Sequence, residues 1–273
     1  MKLSIITVNL NNRDGLQKTI DSVVCQTFRD FEWIVIDGGS TDGSKELIEK
    51  YADHFAYWVS EPDKGIYNAM NKGIRVAQGE YLQFLNSGDW LYDETALERC
   101  FLHSFDADIA YGNILFCYDD KKEECRYPEQ LIFRYLYKYS LGHSASFIKR
   151  GVLQEELYDE ELKIVSDWKF FLLQALKNRR FECLGEMVSC FDTHGISSIN
   201  EDLVNRERGE VIKQLVPESI IADYKLMDEM EEQLEQDRVK KVLKYSKKKK
   251  LYRKMITGCL RIIGFMERKD NDA

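Results

Sequence analysis

Two aspartates stand where a carboxylate could do chemistry. Asp37 closes the strand-like run Glu32-Trp33-Ile34-Val35-Ile36 and leads into the turn Gly38-Gly39-Ser40-Thr41-Asp42-Gly43. Asp89 follows the apolar run Tyr81 to Leu85 through Asn86-Ser87-Gly88. An ionised carboxylate only accepts hydrogen bonds, so Asp37 could receive a base imide or a ribose hydroxyl; it could equally cap the Gly38-Gly39 turn. A carboxylate oxygen suits Mg²⁺ or Mn²⁺, which keeps few protein ligands and shares the phosphates of its substrate. Gly88 leaves room for a diphosphate there, although Ser-Gly-Asp is also an ordinary turn.

The elements that must position these groups alternate at short intervals. Leu3 to Val8, Glu32 to Ile36, Ala56 to Ser60 and Tyr81 to Leu85 read as strands. Between them, Leu16, Ile20, Val23 and Val24, then Leu47, Ile48 and Tyr51, then Ile66, Met70, Ile74 and Ala77 recur at helical spacing. Strands alternating with helices imply a mostly parallel sheet flanked by helices. Ligands of such sheets bind beyond the carboxyl ends of the strands. Three polar clusters should therefore converge on one edge: Thr7 to Asn9, Asp37 with its turn, and Asn86 to Asp89. Farther on, the sequence predicts two short strands, Asp108 to Tyr111 and Ile114 to Cys117. It then predicts a helix opened by Ser166-Asp167 that buries Trp168, Phe171, Leu172, Ala175 and Leu176. Leu203 to Leu234 reads as two helices broken at Pro217.

Other nucleotide sites are excluded by their loops. After the first strand the chain reads Asn9-Leu10-Asn11-Asn12-Arg13, without the Gly-x-Gly-x-x-Gly of a dinucleotide fold, and no Gly-x-x-x-x-Gly-Lys-Ser/Thr loop occurs. The total charge of −8 is unevenly spread. Residues 238–273 hold thirteen Lys/Arg against three Asp/Glu, a local +10 that leaves −18 on the other 237 residues. An acidic body argues against nucleic acid as a partner. No stretch approaches the roughly 18–20 apolar residues of a membrane-spanning helix. Met1-Lys2 leads directly into a strand-like run rather than a secretory signal. The seven scattered cysteines, never Cys-x-x-Cys, are expected to be buried, reduced thiols of a cytoplasmic protein.

The segments Thr7-Val8-Asn9, Val35-Ile36-Asp37-Gly38-Gly39-Ser40-Thr41-Asp42-Gly43-Ser44 and Gly79-Glu80-Tyr81-Leu82-Gln83-Phe84-Leu85-Asn86-Ser87-Gly88-Asp89 together resemble family 2 glycosyltransferases. Glu61-Pro62-Asp63-Lys64-Gly65-Ile66-Tyr67-Asn68-Ala69-Met70-Asn71-Lys72-Gly73 resembles a bacterial branch associated with surface-polysaccharide assembly. The likeness covers about residues 1–200 with four motifs in order. It implies an α/β fold of GT-A type, a Rossmann-like mixed, mostly parallel sheet, here with a C-terminal helical extension. It also implies an inverting transfer from a nucleotide-diphosphate sugar, UDP by family habit, with Mn²⁺ or Mg²⁺.

By that resemblance the donor lies against Thr7, Asn9, Asp37, Lys64, Asn86 and Asp89, with Asp89 on the metal. Asn86 and Gly88 stand where the family commonly has acids, and Met70 where many relatives carry arginine. Lys64, ahead of Arg13 and Lys72, is the expected source of the missing positive charge. Asp167, in Ile164-Val165-Ser166-Asp167-Trp168, matches the catalytic base. A helix N-terminus would keep it ionised, although a plain cap is the alternative. His143, where relatives place polar residues near the site, and His194, expected to border the diphosphate, are further candidates. Two rival readings are a catalytically silent nucleotide-sugar-binding scaffold and a sugar-phosphate nucleotidyltransferase. The latter usually opens with a glycine-rich, arginine-containing loop that is not found here. A processive polymerase would need a Gln-x-x-Arg-Trp motif, also not found.

The reading divides the chain into a catalytic domain (1–200), an acidic helical segment (201–237) and a basic amphipathic tail (238–273). In the tail, Tyr252, Met255, Ile256, Cys259, Leu260 and Ile263 recur at three- and four-residue steps beside ten Lys/Arg without an acid over 238–254. A helix of this kind can lie on an anionic membrane, which gives residues 238–266 as a peripheral anchor on the inner face of the plasma membrane. Packing on the acidic body or on a partner chain is the alternative. The acceptor would be a saccharide or a lipid-linked saccharide.

Overall fold

The computed structural model describes residues 1–102, 105–193 and 200–235, with isolated positions 240, 241, 244, 254 and 257 beyond. The chain divides into two compact units, Met1–Leu215 and Val216–Ala273.

In the first unit a nine-stranded sheet runs through most of the fold. Strands β1 (Leu3–Asn9), β2 (Phe31–Asp37), β3 (Tyr57–Ser60) and β4 (Tyr81–Phe84) lie parallel in the order β3-β2-β1-β4. Their near-continuous apolar sequences fit strands covered on both faces: all of β1 and β4 is buried. The intervening helices are α1 (Arg13–Val24), α2 (Ser44–Lys50) and α3 (Ile66–Val76). They bury Leu16, Ile20 and Val23, then Leu47 and Ile48, then Met70 and Ile74. Ile66, expected in the last stripe, is instead 38% exposed.

Register decides what meets at the sheet edge. Asn9 lies opposite Asp37, and Asp37 opposite Ser60. β4 ends at Phe84 beside Ile6, but the chain continues along β1, with Leu85 N–H donating to the Ile6 carbonyl (2.9 Å) and Ser87 N–H to that of Val8 (3.0 Å). Asn86 to Asp89 are thereby carried to Asn9.

The sheet then reverses. Beyond β4 come β8 (Ser146–Lys149), β6 (Ile109–Cys117), β9 (Phe181–Asp192) and the two-residue β5 (Trp90–Leu91), with β7 (Lys122–Cys125) on β6. β8 is antiparallel to both β4 and β6, whereas β9 is parallel to β6. Six strands therefore share one direction, and the carboxyl end of β9, at Asp192, joins those of β1, β2 and β4. The two strands expected at 108–111 and 114–117 are one. The Gly112-Asn113 interruption is a register shift against β9, not a break.

Short helices α4 (Ala96–Phe101), α5 (Phe133–Lys138) and α6 (Arg150–Glu155) surround the second half. α7 (Ser166–Leu176) buries Trp168, Phe170, Phe171 and Leu172, while Leu176, in its last turn, is exposed. α8 (Glu201–Leu215) belongs with the first unit, where it buries Glu207 and Val211.

The second unit contains α9 (Glu218–Glu235), which exposes Leu226, Met227, Met230 and Leu234. The break expected at Pro217 falls between α8 and α9. Among the described residues no helix is long and apolar enough to cross a membrane. His194 and most of segment 238–266, its apolar stripe included, lie outside the described residues. Of the cysteines described, all are free thiols; Cys100 and Cys190 are buried as expected, but Cys25 is exposed.

Candidate active site

A cavity of about 700 Å³ opens at the edge where the strand ends meet. Asn9, Lys64, Asn86, Asp89, His143 and Asp167 all line it. Thr7 and Asp37 do not. Both are fully buried, and their polar atoms are engaged by the protein. Thr7 Oγ accepts the Trp33 indole N–H at 3.0 Å. Asp37 accepts five hydrogen bonds, from the Asn9 amide, the Gly39 and Ser40 backbone, and the Ser40 and Ser60 hydroxyls. Burial pushes its carboxyl up, but these donors outweigh burial and hold it below the usual range. Asp37 thus stands one layer behind the cavity, fixing the Asn9 amide (2.7 Å).

Asp89 has the opposite environment. It is 5% exposed, and among the described residues its carboxylate accepts one hydrogen bond, from Asp192 N–H to Oδ1 at 3.1 Å. Burial pushes its carboxyl up to about 7, only partly countered by the charge of His143, the Asp192 N–H and Lys18. The turn that holds it is built by neighbours. Gly88 has φ +107°, its N–H donates to Thr19 Oγ, and that hydroxyl donates to the Asp89 carbonyl (2.7 Å). Among the described residues no cluster of three or more His, Cys, Asp or Glu side chains could hold a metal ion. A buried carboxylate with one oxygen lacking a donor among the described residues, in a cavity sized for a substrate, nevertheless fits a divalent cation that takes further ligands from phosphate.

Asp167 opens α7 as the sequence predicts, with partners that no local pattern announces. Tyr67 Oη donates between Asp167 Oδ1 (2.9 Å) and the Ile164 carbonyl. His143 Nδ1 stands 3.3 Å from Asp167 Oδ2, and its Nε2 3.1 Å from Asn86 Nδ2. A carboxylate cannot donate, so Nδ1 carries a proton and Nε2 accepts from the Asn86 amide when the ring is neutral. Burial alone would lower the His143 pKa; the hydrogen bond and charge of Asp167, then the charge of Asp89, raise it overall. Burial likewise pushes Asp167 up, but the His143 contact and Tyr67 bring it below the ordinary carboxylate value. The antiparallel β8 explains the meeting. It starts beside the end of β4, which puts the short 3₁₀ turn His143–Ala145 next to Asn86.

Lys64 lines the cavity mouth, whereas Lys72 is paired with Glu61 (2.8 Å) and Arg13 with Asp14 (3.2 Å); neither of these lines it. Glu160, unforeseen, also faces the cavity, oriented by Asn68 (2.8 Å) and Asn71 (2.9 Å), whose hydrogen bonds hold its pKa down. Glu207 was equally unforeseen. From α8, 6% exposed, it accepts the consecutive backbone N–H groups of Lys163, Ile164 and Val165 at 2.8, 3.0 and 3.3 Å, immediately before α7. Its neighbour Arg208 lies over the Trp168 ring at 4.7 Å. An acid on an amphipathic helix reads as solvated, so Glu207 carries no sequence signal. Tyr67 and Asn68 lie within a motif that does carry one.

A curled, mostly parallel sheet flanked by helices, with its strand ends around one cavity, is the GT-A fold. Residues 4–152 match glycosyl transferase family 2, and the chain belongs to that family. It is 33% identical over 218 residues to an uncharacterized glycosyltransferase of Mycobacterium tuberculosis (strain CDC 1551), covering 73% of this chain and 78% of that one. It is 31% identical over 175 residues to a PGL/p-HBAD biosynthesis glycosyltransferase of Mycobacterium bovis (strain BCG), covering 61% and 67%. Among solved structures, Staphylococcus aureus TarS 1–349 with UDP-GlcNAc is similar in fold, with TM-score 0.56 and 21% identity over 70% of this chain and 58% of that one. The mannosyltransferase PcManGT from Pyrobaculum calidifontis, with GDP-Man and Mn²⁺, gives TM-score 0.55 and 16% identity over 70% and 56%.

Proposed function

We propose that this glycosyltransferase transfers its sugar with inversion from a UDP-sugar to the hydroxyl of a saccharide or lipid-linked saccharide, in bacterial surface-polysaccharide or glycolipid assembly. The observation that carries the reading is the pairing of two unlike carboxylates across one cavity. Asp89 is buried and short of positive charge, whereas Asp167 is held ionised at a helix start. Base and ribose lie toward Asn9, with Thr7 and Asp37 behind it, and the diphosphate lies toward Lys64, Asn86 and Asp89. Mn²⁺ or Mg²⁺ held by Asp89 would neutralise the departing diphosphate, an effect worth several kcal/mol.

Asp167 takes the proton of the acceptor hydroxyl as that oxygen attacks the anomeric carbon from the face opposite the nucleotide. One displacement inverts that carbon. General-base help of this kind is typically about 10²–10⁴-fold. His143 and Tyr67 hold the two oxygens of Asp167 in place, and α8 backs the loop before it. The UDP-GlcNAc complex of TarS and the mycobacterial PGL/p-HBAD biosynthesis relative support the donor and acceptor classes. The basic segment 238–266 would keep the enzyme beside lipid-linked acceptors.

A thermal-shift panel of UDP-, GDP- and CDP-sugars with Mn²⁺ tests the donor, since a ligand stabilises by an amount set by its concentration over Kd. UDP-sugars should stabilise most. Nucleotide release with and without acceptor then separates a transferase from a silent scaffold. No release with any donor would refute the enzyme reading.

A further inference from the structure

Glu160 takes no part in the chemistry proposed above, yet its carboxylate is fixed in the cavity wall. Asn68 Nδ2 donates to its Oε2 at 2.8 Å and Asn71 Nδ2 to its Oε1 at 2.9 Å. The two amides are i and i+3 on α3 and so share a face. Each is set in turn by backbone. Asn68 Oδ1 accepts the Lys64 N–H (3.2 Å); Asn71, 1% exposed, accepts the Tyr158 N–H (3.0 Å) and donates to the Tyr158 carbonyl (2.9 Å). An amide held at both its oxygen and its nitrogen does not flip, so the Glu160 carboxylate has one orientation.

A carboxylate has about four lone-pair positions, and the two amides fill one on each oxygen. Among the described residues no other hydrogen bond and no ion pair reaches Glu160. The Asn71 and Asn68 hydrogen bonds, helped by the charges of Arg75 and Lys64, keep it ionised at neutral pH. An ionised acceptor with unused capacity in a substrate cavity pairs best with hydroxyl donors, through charge-assisted hydrogen bonds. Like charge keeps the donor diphosphate away from it. Its position points to the other substrate. Tyr67 and Asn68 are consecutive, and Tyr67 donates to Asp167 Oδ1 (2.9 Å) while Asn68 donates to Glu160. Glu160 and Asp167 also share one segment, tied at Lys163 to Val165 by Glu207. Ile66, 38% exposed, and Leu162 line the same cavity and offer apolar surface to the C–H face of a sugar ring.

We propose that Glu160 binds the acceptor, its carboxylate accepting hydrogen bonds from vicinal hydroxyls of a neutral sugar whose neighbouring hydroxyl is delivered to Asp167. The proposal rests on the reading of Asp167 as the base. It makes Glu160 a specificity-determining residue: a sugar lacking a hydroxyl there leaves the carboxylate short of a donor, and a uronic acid sets a second negative charge against it. It also gives the paired asparagines of α3 a purpose, since they aim the carboxylate without neutralising it.

The test is transfer by the full chain, with Mn²⁺, from a UDP-sugar that it consumes to octyl glycosides of glucose, galactose, mannose and rhamnose and to their monodeoxy analogues. Wild type, Glu160→Gln and Asp167→Asn are compared, with calorimetric UDP binding as a check of the fold. Glu160→Gln should raise KM for the best glycoside about tenfold while kcat and donor KM stay within about twofold, the pattern of lost ground-state binding. In wild type, deleting one hydroxyl beside the reacting one should raise KM by the same factor; in Glu160→Gln that deletion should cost less than about twofold. A merely structural Glu160 would leave the deoxy penalties equal in the two proteins, and that result would overturn the proposal. So would a rise in donor KM alone, or a wild-type enzyme that releases nucleotide but transfers to no glycoside. Near-normal transfer by Asp167→Asn would instead remove the base reading on which the proposal stands.

Discussion

Removing the Glu207 carboxylate should damage both the fold and the chemistry. The side chain collects three successive backbone N–H groups just before α7, and its substitution by alanine leaves those donors in a mostly buried place. Hydrogen bonds to a charged group contribute about 1.5–3 kcal/mol each, and an orphaned buried donor costs about 1–3 kcal/mol. Against this stands the cost of burying the carboxylate itself, several kcal/mol, which the alanine variant no longer pays. The balance is a net loss of about 3 kcal/mol. For a unit of this size each kcal/mol shifts Tm by about 2–4 °C, so Glu207→Ala should melt about 6–12 °C lower.

Glu207→Gln keeps one acceptor oxygen and should fall between. Because the loop carries Asp167, whose displacement by about 1 Å can cost about 10²-fold, turnover should fall in both variants below their melting points. Donor affinity should hold, since Asp89 and Asn9 sit on other elements. Scanning calorimetry and initial rates at 20 °C check this. A Glu207→Ala protein with unchanged melting and unchanged turnover would show that the three hydrogen bonds do not anchor the loop.

The His143–Asp167 pair should give stability a defined pH window. Asp167 is lowered, so its contribution is present above its ordinary value of 3.8 and fades as pH falls through the folded value; His143 is raised, so its contribution is present below 6.5 and fades as pH rises through the folded value. The Tm difference between wild type and His143→Gln should therefore be largest between pH 4 and 6.5 and shrink toward pH 9; a difference constant from pH 4 to 9 would contradict the pair. Tyr67→Phe, which removes the hydroxyl from Asp167 Oδ1, should lower turnover about tenfold with little change in donor Kd; an unaltered rate would leave Tyr67 a packing residue. Full-length protein should co-sediment with anionic vesicles at low salt, and a chain ending at Gln236 should not. Equal behaviour of the two would remove segment 238–266 as an anchor.

The parallel half of the sheet is legible because its strands are buried on both faces and end in polar residues. Leu3 to Asn9 and Phe31 to Asp37 are stopped by the groups that later meet at the edge. The antiparallel half is not legible in this way. β8 is four residues long, β5 two, and β9 is interrupted by Gly185 at φ +73°. Asn9, Asn86, Asp89 and Asp167 could be found because each belongs to a local motif at the end of a strand or the start of a helix. Asp37 and Thr7 share such motifs but turn inward, since Ser40, Ser60 and Trp33 offer donors that sequence spacing does not reveal. Glu207 and Asp192 matter only through contacts about forty and a hundred residues away along the chain, and no periodicity records that.

The division of labour between Asp89 and Asp167 is tested most directly by one paired titration. Donor affinity with and without Mn²⁺ and single-turnover rate are measured for wild type, Asp89→Ala and Asp167→Asn with a UDP-sugar that the wild-type enzyme consumes. Asp89→Ala should lose the Mn²⁺-dependent part of donor binding. Asp167→Asn should bind donor as wild type does while its turnover falls about 10²–10⁴-fold, because its partner is the acceptor. Metal-strengthened donor binding that survives Asp89→Ala, or near-normal turnover by Asp167→Asn, would contradict the assignment of those roles.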